Sequence, residues 1–158
     1  MKISIIVPCF NEERFLGRCL DSLAAQTWKD LEILVVDDGS TDRSPEVAVN
    51  RGVTLLHSDH RGPGVARNRG AEVAQGEILV FADADMEFPP DYLERLTAPI
   101  REGTCHGTFH RRERVANAEN AWARCWSLHA GLPAGERLPA DYPPTSPVFR
   151  ALRREEFL

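Results

Sequence analysis

The chain has 158 residues, 42% of them hydrophobic, which suffices for one domain with its own core. Its net charge of −5, with 19 Lys and Arg against 24 Asp and Glu, argues against general nucleic-acid binding. No run approaches the roughly 18 apolar residues that span a bilayer, and the apolar run 3–8 is shorter than a signal-peptide core of about 7 to 15 residues. We expect a cytoplasmic protein without a nucleic-acid partner.

Short apolar runs alternate with amphipathic segments over residues 3–103. The apolar runs are rich in β-branched residues, as in strands that are covered on both faces of a parallel sheet. The predicted strands are residues 3–7, 32–37, 53–56 and 77–81. This alternation predicts a single-domain α/β fold with an open, mainly parallel, doubly wound Rossmann-like sheet. Its ligand would lie outside the carboxyl ends of the strands.

Helices are predicted between these strands. In the first, apolar side chains recur at helical spacing, with Glu12 and Glu13 in the first turn. Its apolar stripe is Phe15, Leu16, Cys19, Leu20 and Leu23. The second has Ser44 as its N-cap, Pro45 at its first helical position and its end near Asn50.

Two further helices complete the alternation. The third occupies residues 64–74, and the fourth begins at Pro89 and ends at Gly103. The buried stripe of the fourth is Tyr92, Leu93, Leu96 and Ile100. Beyond Gly103 the pattern weakens. The predicted elements there are a strand at 104–110, a helix at 117–129, a loop at 131–147 and a strand that turns into a helix over 148–158.

Three of the predicted strands end abruptly in polar residues. Asp83 and Asp85 follow the fourth strand, where a divalent ion that also holds phosphate would neutralise them, or where Asp85 caps a turn beside an exposed Asp83. Residues 37–42 after the second strand form a turn or supply a carboxylate to a base or ribose. Residues 8–12 after the first offer Phe10 either as a core residue or as a stacking face.

The segment 62–70 reads Gly-Pro-Gly-Val-Ala-Arg-Asn-Arg-Gly. It lacks the Gly-Lys-Ser/Thr of a P-loop, and Arg67 stands where the third glycine of a dinucleotide-binding fingerprint belongs. What remains is either a helix N-terminus beside an arginine, which suits a diphosphate, or a flexible surface loop.

Four segments, in this order, resemble the motifs of the inverting family 2 glycosyltransferases of the A-type glycosyltransferase fold. They are residues 4–13, 25–42, 62–70 and 82–85. Four ordered motifs are far more specific than any one of them. The resemblance implies transfer of a sugar, with inversion, from a nucleotide-diphosphate sugar, such as a UDP- or GDP-sugar, to the hydroxyl or phosphate of an unidentified glycan, lipid or small-molecule acceptor.

The resemblance also implies roles for the nucleotide-binding residues. Pro8, Phe10 and Glu12 would contact the nucleotide, with Phe10 in the stacking position usually held by Tyr. Asp38 would bind the base.

Further roles concern the phosphates and the metal. Asp83 would face the ribose or sugar and would also belong to the metal site, where Asp85 would ligate Mn²⁺ or Mg²⁺, which offsets charge on the departing diphosphate. Arg67 and Asn68 fall in the segment that flanks the diphosphate.

A carboxylate base for the acceptor is the part of the family pattern without a match here. Relatives usually continue past a segment like 148–157 into Gly-Gly-Phe-Asp and an acidic motif, whereas Asp141, Glu155 and Glu156 have no motif that assigns them this role. We therefore leave the catalytic residue unassigned.

We therefore divide the domain into a donor-binding region, 1–103, and an acceptor-side region, 104–158, which is incomplete because no base is assigned in it. The alternative function is a non-catalytic nucleotide-sugar binding module. An aspartyl phosphoryl-transfer site is disfavoured, since neither Asp37-Asp38-Gly39 nor Asp83-Ala84-Asp85-Met86 is followed by the Thr of an Asp-x-Asp-x-Thr site.

Other reactive or aromatic residues give weaker signals. The five histidines do not match His-Glu-x-x-His, which disfavours a zinc site. The four cysteines contain no Cys-x-x-Cys pair and are expected to be reduced. Trp122 and Trp126 lie four residues apart on one helix face, where they suit a core, an acceptor groove or a peripheral membrane contact.

Overall fold

A computed structural model describes residues 1–109, 132 and 149–158. The strands are β1 (Ile3–Cys9), β2 (Leu31–Asp37), β3 (Thr54–His57), β4 (Ile78–Phe81), β5 (Gly107–Thr108) and β6 (Ala151–Arg153). They form one sheet in the order β3-β2-β1-β4-β6-β5. The first four strands are mutually parallel, and β6 runs antiparallel to both of its neighbours. The predicted open, mainly parallel α/β sheet is confirmed.

Helices cover both faces of this sheet. They are α1 (Leu16–Ala24), α2 (Ser44–Asn50), α3 (Pro63–Val73) and α4 (Tyr92–Arg101), and a 3₁₀ turn, Arg154–Glu156, follows β6. The chain divides into two compact units, residues 1–108 with 149–158, and residues 109–148; all the elements named here lie in the first.

Alternate residues of β1 supply two separate apolar clusters. Ile3 and Ile5 pack into a cluster that includes the buried stripes of α1 and α4, whereas Ile6 packs with Ala66 and Ala71 of α3. All five side chains are 0% exposed. Burying a large aliphatic side chain contributes about 1.5–3 kcal/mol, so the alternation along β1 holds helices to both faces of the sheet.

Pro8 ends the pairing between β1 and β4. The backbone groups of alternate β1 residues face β4, and the last of the β1–β4 bonds runs from the Ala82 N–H to the Ile6 carbonyl. Pro8 is the next residue to face β4, and it has no N–H to donate. Beyond Pro8, β1 continues to pair with β2 alone, as far as Cys9. The carboxyl ends of β1, β2 and β4, and the loops that follow them, are called the carboxyl edge below.

Two helix starts differ from the sequence-based prediction. Glu12 and Glu13 precede α1 rather than lying in its first turn, because the Glu12 carbonyl accepts the N–H groups of Phe15 and Leu16 in a turn that leads into the helix. Ser44 is the first residue of α2 and not its N-cap. Its hydroxyl accepts the Glu12 N–H instead, over 2.8 Å.

The remaining elements lie close to their predicted positions. Within residues 104–109 the predicted strand is limited to β5, and within residues 149–158 the strand and turn agree with the prediction. The predictions for 117–129, 131–147, Trp122 and Trp126 lie outside the described residues. Cys9, Cys19 and Cys105 are free thiols, as expected. Within the described ranges, no helix has both the length and the apolarity needed to cross a bilayer.

Candidate functional site

Asn11 fastens the loop after β1 to the loop after β2. Its side-chain oxygen accepts the N–H groups of Thr41 (2.8 Å) and Asp42 (3.3 Å), and its own N–H donates to the Ser40 hydroxyl over 2.9 Å. The backbone of Asn11 has φ +56°, a left-handed conformation that Asn tolerates better than most residues. The two loops therefore form one hydrogen-bonded rim at the carboxyl edge.

Asp38 organises the loop that precedes α3. The residue is buried, and its two carboxylate oxygens accept the N–H groups of Arg61 (2.9 Å) and Gly62 (2.7 Å). Burial alone would raise the pKa of Asp38, but these N–H groups hold that pKa below its ordinary value. The ionised Asp38 carboxylate therefore fixes the backbone that leads into α3.

Phe10 and His60 form an exposed aromatic pair. Their ring centroids are 4.2 Å apart at a tilt of 38°, and Phe10 is 43% exposed. The Nδ1 atom of His60 lies 3.0 Å from the Asp38 carbonyl, which can only accept, so Nδ1 carries the hydrogen. An apolar ring on the surface, packed against a histidine that donates to the Asp38 backbone carbonyl, suits stacking against a planar ligand.

Asp83 joins two arginines from distant parts of the sequence. Its Oδ1 atom accepts from Nη2 of Arg67 on α3 over 2.9 Å, and its Oδ2 atom accepts from Nη1 of Arg150, just before β6, over 2.8 Å. The three side chains are partly exposed, at 36%, 34% and 18% in that order. One carboxylate therefore holds two guanidinium groups beside the end of β4.

One part of the carboxyl edge, called the acidic side below, carries Glu12, Asp42 and Asp85. Partial burial, together with the charges of Asp85 and Asp42, raises the pKa of Glu12. Asp85 is exposed, and its carboxylate makes no hydrogen bond or ion pair to any residue that the structure describes. These carboxylates repel one another in the absence of a cation, so the acidic side favours a positive ligand.

The remaining predicted residues have simpler surroundings. Pro8 is half-buried in β1 opposite Val36, and Asn68 is exposed on α3 without a hydrogen-bond partner among residues 1–109, 132 and 149–158. Within the same ranges, no group of three or more His, Cys, Asp or Glu side chains is arranged to hold a metal. The carboxyl edge, or the structure directly beside it, holds Pro8, Phe10, Glu12, Asp38, Arg67, Asp83 and Asp85.

Three residues of the site were not singled out as functional in the sequence. The left-handed backbone of Asn11 could have been predicted from its position, because Asn between a strand and a helix often adopts this conformation. In the sequence His60 is one of five scattered histidines, and nothing there indicates its contact with Phe10 or its φ of +48°. Arg150 is 67 residues from Asp83 in the sequence, and no local motif connects them.

The sequence model described as "Glycosyl transferase family 2" matches residues 4–157. Among curated proteins, the "Uncharacterized glycosyltransferase YibD" of Escherichia coli is 45% identical over 100 residues, an alignment that covers 60% of this chain and 29% of YibD. The chain therefore spans less than a third of that relative.

Solved structures give a matching result. TarS residues 1–349 of S. aureus in complex with UDP-GlcNAc has a TM-score of 0.66 and 30% identity, covering 74% of this chain and 36% of that one. The mannosyltransferase PcManGT of Pyrobaculum calidifontis, in complex with GDP-Man and Mn²⁺, has a TM-score of 0.64 and 30% identity, covering 67% and 34%. Both similarities include the fold described above.

Proposed function

Because the chain belongs to glycosyl transferase family 2, we propose that it binds a nucleotide-diphosphate sugar at the carboxyl edge and transfers the sugar, with inversion, to an acceptor hydroxyl or phosphate. The observation that carries this proposal is the juxtaposition at one sheet edge of an exposed aromatic ring, two guanidinium groups and an acidic cluster. An aromatic ring suits a base, guanidinium groups suit a diphosphate and carboxylates suit a divalent cation. The solved relatives bound to UDP-GlcNAc and to GDP-Man support a UDP- or GDP-sugar as the donor.

The proposed roles of the nucleotide-binding residues follow from their surroundings. Phe10 offers its exposed face to the base, and Pro8 and Glu12 flank the same loop. Asp38 shapes the base site mainly by holding the loop of Arg61 and Gly62, because both of its carboxylate oxygens already accept backbone N–H groups. Loss of its charge would therefore disturb the position of the whole loop.

The diphosphate is proposed to lie beside the start of α3. Arg67 supplies a guanidinium, whose planar array of N–H groups matches phosphate oxygens. Asn68, the next residue on α3, offers an amide at the same end of the site. The N–H groups of the first helical turn add further donors for an anion.

A divalent cation fits the acidic side of the site. Asp85 supplies a carboxylate that no described residue engages, and partial burial together with the negative charges of Asp85 and Asp42 raises the pKa of Glu12. Oxygen ligands of this kind suit Mg²⁺ or Mn²⁺. Asp83 fits less well as a ligand, because each of its oxygens accepts from an arginine. When bound, the cation would offset charge on the departing diphosphate.

Calorimetry tests this proposal on the 158-residue chain with UDP and GDP, each in excess Mn²⁺ and in EDTA. We expect micromolar-range binding of at least one nucleotide that Mn²⁺ strengthens, and we expect Asp85→Asn to lose the strengthening. Glu72→Gln is the matched control, since it removes one exposed carboxylate from the far end of α3. The proposal is contradicted if neither nucleotide binds, or if Asp85→Asn behaves like the control.

Turnover separates the enzyme from a non-catalytic binding module. Release of free nucleotide from the donor sugar, in the presence of simple hydroxyl acceptors, supports transfer. Tight binding of the donor without any release supports the module.

A further inference from the structure

Gln26 is a buried polar side chain that joins the end of α1 to the connection between β4 and α4, residues 82–91, called the Asp85 loop below. It is 0% exposed. Its amide nitrogen donates to the Ser22 carbonyl over 3.1 Å and to the Pro89 carbonyl over 2.8 Å, and its amide oxygen accepts the Leu93 N–H over 2.9 Å. Because Leu93 is in the first turn of α4, where N–H groups have no partner within the helix, Gln26 supplies an acceptor that α4 lacks.

The same face of α1 contacts the earlier part of the Asp85 loop. Cys19, Ser22 and Gln26 are spaced three and four residues apart, as on one side of a helix and the turn that follows it. The Ser22 hydroxyl accepts the Phe88 N–H over 3.1 Å, and Sγ of Cys19 lies 3.6 Å from the Asp83 carbonyl. Burial raises the pKa of Cys19 to about 12, so the thiol keeps the hydrogen that it donates to this carbonyl. Contacts with α1 thus lie on both sides of Asp85.

The Asp85 loop contains no helix or strand of its own. A tight turn around Asp85 is closed by the Met86 N–H, which donates to the Asp83 carbonyl over 3.1 Å, and Ala84 inside this turn is buried in the same apolar cluster as α1. The Asp85 side chain itself is exposed. Its position therefore follows from the backbone of the turn, and the contacts with α1 help to hold that backbone.

The start of α1 is bonded to the other carboxylate-bearing segment. The Glu12 carbonyl accepts the N–H groups of Phe15 and Leu16, which lead into the helix. One helix thus holds Glu12 at its start and the Asp85 loop along its side. A divalent cation needs its oxygen ligands at fixed separations, most strictly for Mg²⁺. The contacts of α1 are suited to keep the two carboxylates of the acidic side at such a separation.

We propose that Gln26 is a positioning residue that holds the Asp85 loop at a fixed distance from Glu12, and so sets how well the acidic side binds a divalent cation. This inference rests on the proposed function for the cation and the donor. Gln26 is fully buried and acts only through the loop, without contact with the ligand. It lies in the segment 25–42, whose resemblance to the family motif assigns it no role.

The variant Gln26→Met tests the proposal, because it keeps a long buried side chain and removes the two amide donors and the acceptor. Calorimetry measures the affinity for UDP, or for GDP if the wild type prefers it, in EDTA and at increasing Mn²⁺. We expect the variant to need about tenfold more Mn²⁺ for half of the gain in affinity, as for the loss of an outer-shell partner of a metal site. Its affinity in EDTA should equal that of the wild type, because the groups proposed to bind the base and the diphosphate do not contact Gln26.

Ser4→Ala is the matched control for a purely structural loss. Ser4 is also 0% exposed, near the start of β1 at the opposite edge of the sheet, and its hydroxyl donates to Glu32 and accepts the Gly76 N–H over 2.7 Å. Both variants leave a buried N–H without its acceptor, so both should unfold at a lower temperature than the wild type. Only Gln26→Met should shift the Mn²⁺ dependence of nucleotide binding.

Three results would overturn the role of Gln26. They are an unchanged Mn²⁺ dependence in Gln26→Met, equal shifts in Gln26→Met and Ser4→Ala, and a loss of nucleotide affinity by Gln26→Met that is as large in EDTA as in Mn²⁺. If Gln26→Met does not fold, Ser22→Ala decides the question, because it removes only the acceptor of the Phe88 N–H. A shift in the same direction then supports the proposal, and the Mn²⁺ dependence of the wild type overturns it.

The wild type separates this inference from the function on which it rests. If the wild-type chain binds neither UDP nor GDP, or gains nothing from Mn²⁺, the proposed function fails and the role of Gln26 fails with it. If the wild type shows the gain and Gln26→Met keeps it at the same Mn²⁺ concentrations, the role of Gln26 alone is wrong.

Discussion

The side-chain oxygen of Asn11 accepts the backbone N–H of Thr41 over 2.8 Å, and so joins the ends of two neighbouring strands. Replacing Asn11 with Ala removes this acceptor and puts at φ +56° a residue that tolerates the left-handed conformation less well than Asn does. A net hydrogen bond contributes about 1 kcal/mol, and the left-handed conformation costs most residues about 1–2 kcal/mol. We expect Asn11→Ala to lower the free energy of unfolding by about 2 kcal/mol, measured by urea titration.

Asn11→Gly separates the two contributions. Glycine adopts the left-handed conformation without steric cost, so this variant loses only the hydrogen bonds and should be the more stable of the two. Equal stability of the Ala variant and the wild type would show that Asn11 does not fasten the loops. Equal stability of the Ala and Gly variants would show that the backbone conformation contributes nothing.

Glu12 is expected to reduce the stability of the unliganded protein at neutral pH. Burial, and the charges of Asp85 and Asp42, raise the pKa of Glu12 in the folded state above its ordinary value of 4.5. The folded state then binds the proton more tightly than the unfolded state, so this group destabilises the fold as the pH rises through the window between those two values. Glu12→Gln should be more stable than the wild type at pH 7, and the difference should vanish below the ordinary Glu pKa.

Thermal unfolding from about pH 3 to pH 8 measures this effect. The Glu72→Gln variant, which removes an exposed carboxylate of α3, should follow the wild type throughout. Added Mn²⁺ should stabilise the wild type more than Glu12→Gln, since the cation neutralises the charge that the variant lacks. A Glu12→Gln protein that is less stable than the wild type at pH 7 would refute the account of its surroundings.

The order of elements was predictable from the sequence, while their pairing was only partly so. Short β-branched runs and helical stripes are local features, so the alternation of strands and helices and the polar ends of β1, β2 and β4 could be predicted. The antiparallel β6 adds to β4 across a long stretch of sequence, and its register depends on contacts that no local pattern records. Arg150 was missed as a site residue for this reason.

The predicted helix starts were wrong for a different reason. Ser44 has the sequence features of an N-cap, but its hydroxyl is used by the Glu12 N–H from a neighbouring loop. Tertiary hydrogen bonds of this kind override local capping preference. The same competition explains why the role of Asp38 differs from its local sequence pattern. That pattern is typical of a turn residue, whereas in the fold its carboxylate holds a loop more than 20 residues away.

Phe10 is expected to contribute to base binding and little to folding, because its ring is 43% exposed. Stacking of a base on an aromatic ring is worth about 1–3 kcal/mol. Phe10→Ala should therefore weaken UDP or GDP binding at least severalfold while leaving the unfolding midpoint close to that of the wild type. Calorimetry with inorganic pyrophosphate and Mn²⁺ provides the internal control, because this ligand has no base and should bind the variant normally.

Phe10→Tyr keeps the stacking surface and should bind the nucleotides as the wild type does. Equal weakening of pyrophosphate and UDP by Phe10→Ala would show a general distortion of the carboxyl edge. Unchanged UDP binding in the Ala variant would remove Phe10 from the proposed base site.

Gly70 sets the distance between α3 and β1, and with it the position of Arg67 one turn earlier in the helix. A β-carbon at Gly70 would lie 2.5 Å from Cγ2 of Ile6 and 3.2 Å from Cγ2 of Val36, two side chains that are 0% exposed. Neither has space to move, and overpacking of a core typically costs about 1–3 kcal/mol. Gly70→Ala should lower the free energy of unfolding by this amount in a urea titration, and should weaken UDP binding through the displaced Arg67.

Gly64 in the same helix provides the opposite expectation. A β-carbon there would have no atom within 4 Å, and its φ is not in the left-handed range. Gly64→Ala should therefore stabilise the protein by about 0.4–1 kcal/mol, by restricting the unfolded chain at a position whose helical conformation alanine favours. Because both substitutions add one methyl group to α3, a loss of stability at both would point to the helix itself. A loss of stability at Gly70 alone, together with weaker UDP binding, identifies the close packing of α3 against Ile6 and Val36 as the constraint that places Arg67 at the carboxyl edge.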